Sequence, residues 1–199
     1  MRPSLTLYLR DRNEEVVSGW QQQFALLPNV HVSQGDIFDL RADAVLSPAN
    51  SFGFMDGGID LVYTQRFGWQ LQERLQDELR RHFFGELPVG QALVIETYDA
   101  EIPYLICAPT MRVPSQVPES VNAYLAFRAA LLAVRAFQQE HPGAITSVLS
   151  PGLCTAIGGM PGNRSAQQMA AAYGVCVLGQ ENRPMTLGQA VQEHHRLLS

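Results

Sequence analysis

Hydrophobic and polar positions recur along the chain with two periods, which predict strands and helices in alternation. A two-residue period marks residues 5–9 as a strand. A period near 3.6 residues marks 120–141 as the clearest helix, ended by Pro142 and Gly143. The remaining predicted segments are, in order, helix 14–24, strands 30–33 and 44–47, a helical stretch 58–84 interrupted near Gly68, β-rich runs 91–97 and 104–108, strand 147–149, helix 161–172 and an apolar run 175–178. This order predicts an α/β fold, a three-layer α/β/α sandwich with a mixed central sheet.

The pattern contains no internal repeat and no low-complexity linker, so one domain is expected over residues 1–178. Residues 179–199 are more polar and form a C-terminal tail. We expect this tail to be a short helix packed on the same domain.

Composition narrows the possible functions. Hydrophobic residues make up 46% of the 199 residues, enough for a true core, and the net charge of -5 argues against a nucleic-acid duplex as partner. No apolar run suits a signal peptide or a membrane span, so the predicted location is the cytoplasm without membrane association. The three cysteines lie far apart, which favours neither a disulfide framework nor a metal site.

Two glycine-rich loops, residues 47–60 and 150–161, each lead from a predicted strand into a predicted helix. Glycine lets the backbone approach a ligand, and a helix N-terminus offers unpaired N–H groups to phosphate. Neither loop has the Gly-Lys-Ser/Thr of a nucleotide triphosphate loop or a full GxGxxG. Together they indicate a diphosphate-bridged ligand, although each alone could be a tight turn.

Four short segments carry a resemblance to a known family. They are Gly35-Asp36-Ile37, Ala42-Asp43-Ala44-Val45, Ala49-Asn50 and Gly57-Gly58-Ile59-Asp60. In order and spacing they resemble the macrodomain signature, and Thr155–Pro161 is similar to the second loop of that family. The resemblance covers roughly residues 30–175. It implies a macrodomain-like fold whose ligand is ADP-ribose or an ADP-ribosylated protein, with no cofactor and no metal.

The resemblance also implies roles for single residues. Asp36 would accept the amino group of adenine, with the Ile37 N–H nearby, and Asn50 would face the distal ribose. From the residues alone, Asp36 or Asn50 could equally be a turn cap. The full set of ligand-binding residues implied by the family is Asp36, Ile37, Ala49, Asn50, Gly57, Gly58, Ile59, Thr155, Ala156, Ile157, Gly158, Gly159 and Met160. Tyr173 is a candidate for stacking on adenine.

For any catalysis, the resemblance implies Asp60 and Asn50, which would orient water and ribose as in hydrolytic macrodomains. Asp60 could act as a general base or stabilise positive charge that develops on the ribose. It could also simply be an acidic residue favoured in the first turn of a helix. The second loop departs from the family, with Ala156, Gly158 and Met160 in place of glycine, phenylalanine and tyrosine. Three functions therefore stay open: hydrolysis of ADP-ribosyl groups from proteins or related esters, non-catalytic reading or sensing of such groups, and ADP-ribose 1″-phosphate phosphatase activity. The sequence leaves the oligomeric state open.

Overall fold

A computed structural model describes residues 5–180 and 186–199. Within these ranges the elements follow one another as β1 (Thr6–Asp11), α1 (Glu14–Phe24), β2 (Val30–Gln34), β3 (Ala44–Ser47), α2 (Gly58–Phe67), α3 (Gln70–Phe83), β4 (Leu93–Glu96), β5 (Tyr104–Cys107), α4 (Asn122–Glu140), β6 (Ser147–Ser150), α5 (Gly162–Cys176) and α6 (Leu187–Leu198).

The described strands form one six-stranded sheet in the order β2-β1-β6-β3-β5-β4. All neighbouring strands are parallel except β4, which runs antiparallel to β5 at the edge. The predicted mixed sheet is therefore confirmed. Because β1, β6 and β3 are parallel neighbours, their carboxyl ends lie at the same end of the sheet. The loops after Asp11, Ser150 and Ser47 therefore all leave from that end.

Helices cover both faces of this sheet, which confirms the three-layer arrangement. On one face α1, α4 and α5 pack around Trp20, Phe127 and Met169. On the other face α2 and α3 bury Tyr63 and Leu75 against the strands. None of the described helices is long and apolar enough to cross a membrane.

Local sequence explains several boundaries. The Asn13 side chain accepts the Glu15 N–H and begins α1, whose predicted and observed bounds coincide. Gly68, with φ +85°, separates α2 from α3 at the predicted interruption. α5 runs four residues further than predicted and includes the start of the apolar run 175–178. The Val177 N–H still bonds to Tyr173 O, so this run closes the helix.

The C-terminal helix α6 lies against α5. A capping box joins Thr186 and Gln189 at its start. At its end, the amides of Gln167 and Gln168 donate to the carbonyls of Arg196 and Leu197 at 2.7 and 2.9 Å. The division of the chain at residue 178 stays a prediction.

Candidate functional site

A cleft of about 400 Å³ opens at the edge of the sheet where β1, β3 and β6 end. This volume lies within the usual range of small-molecule sites. Its walls come from the β1–α1 turn, the turn after β2, both glycine-rich loops and the segment after β5. The lining residues include Arg10, Asp11, Arg12, Asn13, Gly35, Asp36, Ile37, Pro48, Ala49, Asn50, Phe54, Asp56, Gly57, Gly58, Ile59, Asp60, Thr110, Met111, Pro114, Gly152, Cys154, Thr155, Ala156, Ile157 and Gly158.

The N-terminus of α2 forms one wall of the cleft. Gly57 precedes the helix in an extended conformation, and no side chain caps it. Leu61 makes the first intrahelical bond, to Gly57 O. The N–H groups of Gly58, Ile59 and Asp60 therefore have no partner among the described residues. They are free to bind an anion, and the dipole of α2 favours negative charge there.

The second glycine-rich loop faces this wall. Four consecutive N–H groups, from Thr155 to Gly158, likewise lack a partner in the described part of the chain. Gly158 is required by the path of the loop, because a Cβ there would lie 2.3 Å from the carbonyl oxygen of Cys154. Across the cleft, Ile157 Cδ1 stands 3.8 Å from where a Cβ on Gly58 would be. The two loops thus approach each other closely enough to enclose a narrow ligand.

Two predicted residues of the second loop do not line the cleft. The Met160 side chain is 2% exposed within the hydrophobic core, and its N–H bonds to Cys154 O at 2.9 Å. Gly159 turns the chain with φ +65°, and its N–H bonds to Ala156 O. Both residues shape the loop through these bonds.

The amide of Asn50 holds the first loop together. Asn50 Nδ2 donates to Phe54 O at 2.8 Å, while Oδ1 accepts the N–H groups of Phe52 and Phe54 at 3.1 and 3.3 Å. Asn50 also forms a parallel bridge with Met111. The residue lines the cleft, and one amide hydrogen remains for a ligand.

Asp60 lies beneath the cleft with only 8% of its surface exposed. The Ser47 hydroxyl, at the end of β3, donates to its carboxylate at 2.5 Å. Burial raises the pKa of Asp60 to about 7, and the Ser47 hydrogen bond opposes this rise only in part. Asp60 is therefore a carboxyl group that changes charge near neutral pH.

The turn after β2 carries Asp36. Its Oδ1 accepts the Phe38 N–H at 2.9 Å, and its Oδ2 pairs with the Arg12 guanidinium. The Phe38 N–H and, after it, Arg12 hold the pKa of Asp36 below its ordinary value. Arg10 secures the turn itself by donating to Asp36 O, Ser33 Oγ and Asp39 Oδ2 at 2.6 to 2.9 Å.

The segment after β5 forms a third wall of the cleft and bonds to both glycine-rich loops. The Thr110 hydroxyl donates to Pro48 O at 3.0 Å, and the Val117 N–H donates to Gly158 O at 2.7 Å. Arg112 forms a two-point ion pair with Glu86 and lies over the Phe52 ring, which fixes this segment against the first loop. Arg112 is therefore engaged outside the cleft.

Among the lining residues that sequence reasoning missed, three come from the end of β1. Arg10, Asp11 and Arg12 line the cleft because β1 lies between β2 and β6 in the sheet. Asp11 accepts the N–H groups of Asn13 and Gly152, linking the β1–α1 turn to the second loop. A polar Arg-Asp-Arg-Asn run directly after a strand was the available signal.

The expectation for Tyr173 is wrong. Its ring is 2% exposed and packs edge-on against Phe24 in the core, away from the lining of the cleft. It sits near the C-terminal end of α5, whereas the loop of the cleft precedes the N-terminus of that helix.

Cys154 is the cysteine that lines the cleft among the described residues. Burial raises the pKa of the Cys154 thiol to about 12, so this cysteine is not an activated nucleophile. Over residues 5–180 and 186–199, no group of three or more His, Cys, Asp and Glu side chains is arranged to hold a metal ion.

The layered sheet and the cleft between two glycine-rich loops define an α/β/α protein of the macrodomain class. The chain belongs to the Macro-like domain family, which matches residues 36–191. A relative from Aeropyrum pernix is 32% identical over 144 residues, covering 72% of this chain and 70% of the relative. An O-acetyl-ADP-ribose deacetylase from Escherichia fergusonii is 37% identical over 65 residues, or 33% of this chain and 36% of that protein. An Oceanobacillus iheyensis macrodomain mutant with ADPR (ADP-ribose) has a TM-score of 0.57 at 18% identity, covering 69% and 72% of the two chains.

Proposed function

We propose that the cleft binds ADP-ribose or an ADP-ribosyl group. The proposal rests on two sets of backbone N–H groups that have no hydrogen-bond partner among the described residues, those of Gly58–Asp60 and Thr155–Gly158. The two sets lie on opposite walls of one cleft. Together they can hold a diphosphate from both sides without a lysine, and the sequence contains none. Family membership and the O. iheyensis macrodomain with ADPR support the same ligand.

Backbone donors matter here because the side chains of the cleft are predominantly acidic. Two guanidinium groups, Arg10 and Arg12, stand against four carboxyl groups, Asp11, Asp36, Asp56 and Asp60. Such a balance repels a bare polyanion. A ligand with one diphosphate flanked by neutral sugar and base groups fits better, since its charge meets the helix N-terminus and the N–H groups of the loop.

The two ends of the ligand are assigned to the Asp36 turn and to the Asn50 part of the first glycine-rich loop. Asp36 has a lone pair left on each carboxylate oxygen to accept an exocyclic amine, and the Ile37 N–H has no partner among the described residues. That combination of acceptor and donor matches the amino group and ring nitrogen of adenine. At the other end, Asn50 and the half-exposed Phe54 would contact the distal ribose.

Calorimetric titration with ADP-ribose tests this assignment. Wild-type protein should bind saturably, and Asp36→Ala should weaken binding at least about tenfold, since a charge-assisted hydrogen bond is lost. Asp77→Ala is the matched control, because Asp77 is a half-exposed, ion-paired carboxylate on α3 outside the cleft. Equal affinities for wild type and Asp36→Ala would contradict the placement of adenine.

Hydrolysis of an ADP-ribosyl ester or of ADP-ribosylated protein is the second candidate, and Asp60 favours it. A carboxyl group with a pKa of about 7 beside the cleft can accept a proton from water near neutral pH. Without any lysine, the chain has no side-chain amine to form an adduct with the ribose. Attack by water activated by Asp60 would break the bond at the anomeric carbon and release the protein or acid.

Turnover separates an enzyme from a binding module. If hydrolysis occurs, Asp60→Ala should abolish release of ADP-ribose from ADP-ribosylated protein while ADP-ribose itself still binds. Release at the wild-type rate by Asp60→Ala would remove Asp60 from the mechanism. No release by wild-type protein under conditions of saturable binding would leave the reader or sensor function. Release of phosphate from ADP-ribose 1″-phosphate, measured on the same proteins, tests the phosphatase activity.

A further inference from the structure

Among the described residues that line the cleft, none places an aromatic ring at the Asp36 end. Phe54 is the one aromatic residue in the described lining, and it belongs to the first loop, bonded to Asn50. Phe38, next to the Asp36 turn, packs its ring against Tyr63 and Phe67 at centroid distances of 5.8 and 5.5 Å. A purine bound at Asp36 therefore meets no ring on its face, although nucleobases gain much of their affinity from stacking.

Arg12 carries a planar guanidinium at the Asp36 end of the cleft. The backbone around it is fixed, because Gln34 Nε2 donates to Arg12 O at 3.1 Å and Asn13 both bonds to Asp11 and caps α1. Its guanidinium pairs with Asp36 Oδ2, yet the side chain remains 78% exposed and lines the cleft. Arg10, by contrast, is 12% exposed and engaged in three hydrogen bonds within the turn.

We propose that the Arg12 guanidinium stacks on the face of the nucleobase. Asp36, which accepts a hydrogen bond from the edge of the base, also holds the guanidinium in place through their ion pair. This inference rests on the proposed function. A guanidinium is flat, delocalised and weakly hydrated, so it stacks on purine faces as aromatic side chains do. The ion pair with Asp36 limits the motion of the side chain before the ligand arrives, which lowers the entropy cost of stacking.

Three substitutions distinguish stacking from charge. Arg12→Ala removes both, Arg12→Lys retains the charge without the plane, and Arg12→Tyr retains a plane without the charge. Arg41→Ala is the control, since Arg41 is equally exposed at 77% and is ion-paired with Glu101 outside the cleft. Affinities for ADP-ribose are measured by calorimetry, with thermal melting to check that each variant is folded.

Stacking predicts that Arg12→Ala and Arg12→Lys each bind ADP-ribose at least about fivefold more weakly than wild type. Arg12→Tyr should recover to within about threefold, and Arg41→Ala should match wild type. Unchanged binding by Arg12→Ala, or recovery with lysine, would overturn the role of Arg12 while leaving the proposed function intact. No binding by wild-type protein would instead contradict the proposed function, and this inference with it.

Discussion

The buried carboxyl group of Asp60 makes the stability of the fold depend on pH in a way that can be calculated. Its pKa of about 7 compares with 3.8 for an unperturbed aspartate, and burial is the principal cause. At 1.36 kcal/mol per pH unit, keeping this group ionised in the folded state costs about 4 kcal/mol of the free energy of unfolding.

The direction follows from proton binding. Below pH 3.8 the Asp60 carboxyl is protonated in both the folded and the unfolded state. The free energy of unfolding then has its full contribution from the protonated form. Between 3.8 and 7 the folded protein keeps a proton that the unfolded chain has released, so the free energy of unfolding falls as pH rises. Above about pH 8 the carboxyl is ionised in both states and no further loss occurs. About 3 kcal/mol of the change lies between pH 5 and 8.

Asp60→Asn removes the titration, because an amide stays neutral and can still accept the Ser47 hydroxyl. Urea denaturation of both proteins at pH 5, 6, 7 and 8 isolates the effect from all other titrating groups. The free-energy difference, Asp60→Asn minus wild type, should rise by about 3 kcal/mol across this range. Asp56→Asn, on an exposed carboxylate of the same loop, should show no such rise. A difference for Asp60→Asn that is constant with pH would refute the burial argument.

Three further perturbations test the cleft. Gly158→Ala should lower the melting temperature and weaken ADP-ribose binding, since its Cβ would lie 2.3 Å from Cys154 O, whereas Gly57→Ala should fold like wild type because nothing lies within 4 Å of its Cβ. Arg10→Ala removes three hydrogen bonds that hold the Asp36 turn, so it should lower the free energy of unfolding by about 2 kcal/mol and weaken ADP-ribose binding. Both quantities are measured on the purified variant, and wild-type stability and affinity would show that the turn holds without Arg10. Calorimetry between pH 6 and 8.5 should show ADP-ribose affinity falling as Asp60 ionises, and a flat profile in wild type would contradict the proximity of Asp60 to the diphosphate.

Much of the fold could be predicted from local pattern. The bounds of α1, the break at Gly68 and the position of β3 follow from periodicity, an N-cap asparagine and a glycine, all of which act over a few residues. The α/β/α arrangement follows from the alternation of these elements.

The site was predictable only where its residues lie within the loops themselves. Arg10 and Arg12 enter the cleft through the order of strands in the sheet, which a one-dimensional pattern does not contain. The burial of Asp60 against Ser47 also depends on how α2 packs on β3. Tyr173 was misplaced because an apolar position near the end of a helix does not indicate which way the ring faces.

Backbone amide chemical shifts test the central claim most directly, because they observe the proposed diphosphate contacts themselves. On titration of 15N-labelled protein with ADP-ribose, the N–H resonances of Gly58–Asp60 and Thr155–Gly158 should shift together and saturate, whereas adenosine should leave both sets unchanged and shift only the Asp36 turn. ADP-ribose that binds without moving these two sets, or that does not bind at millimolar concentration, would contradict the account.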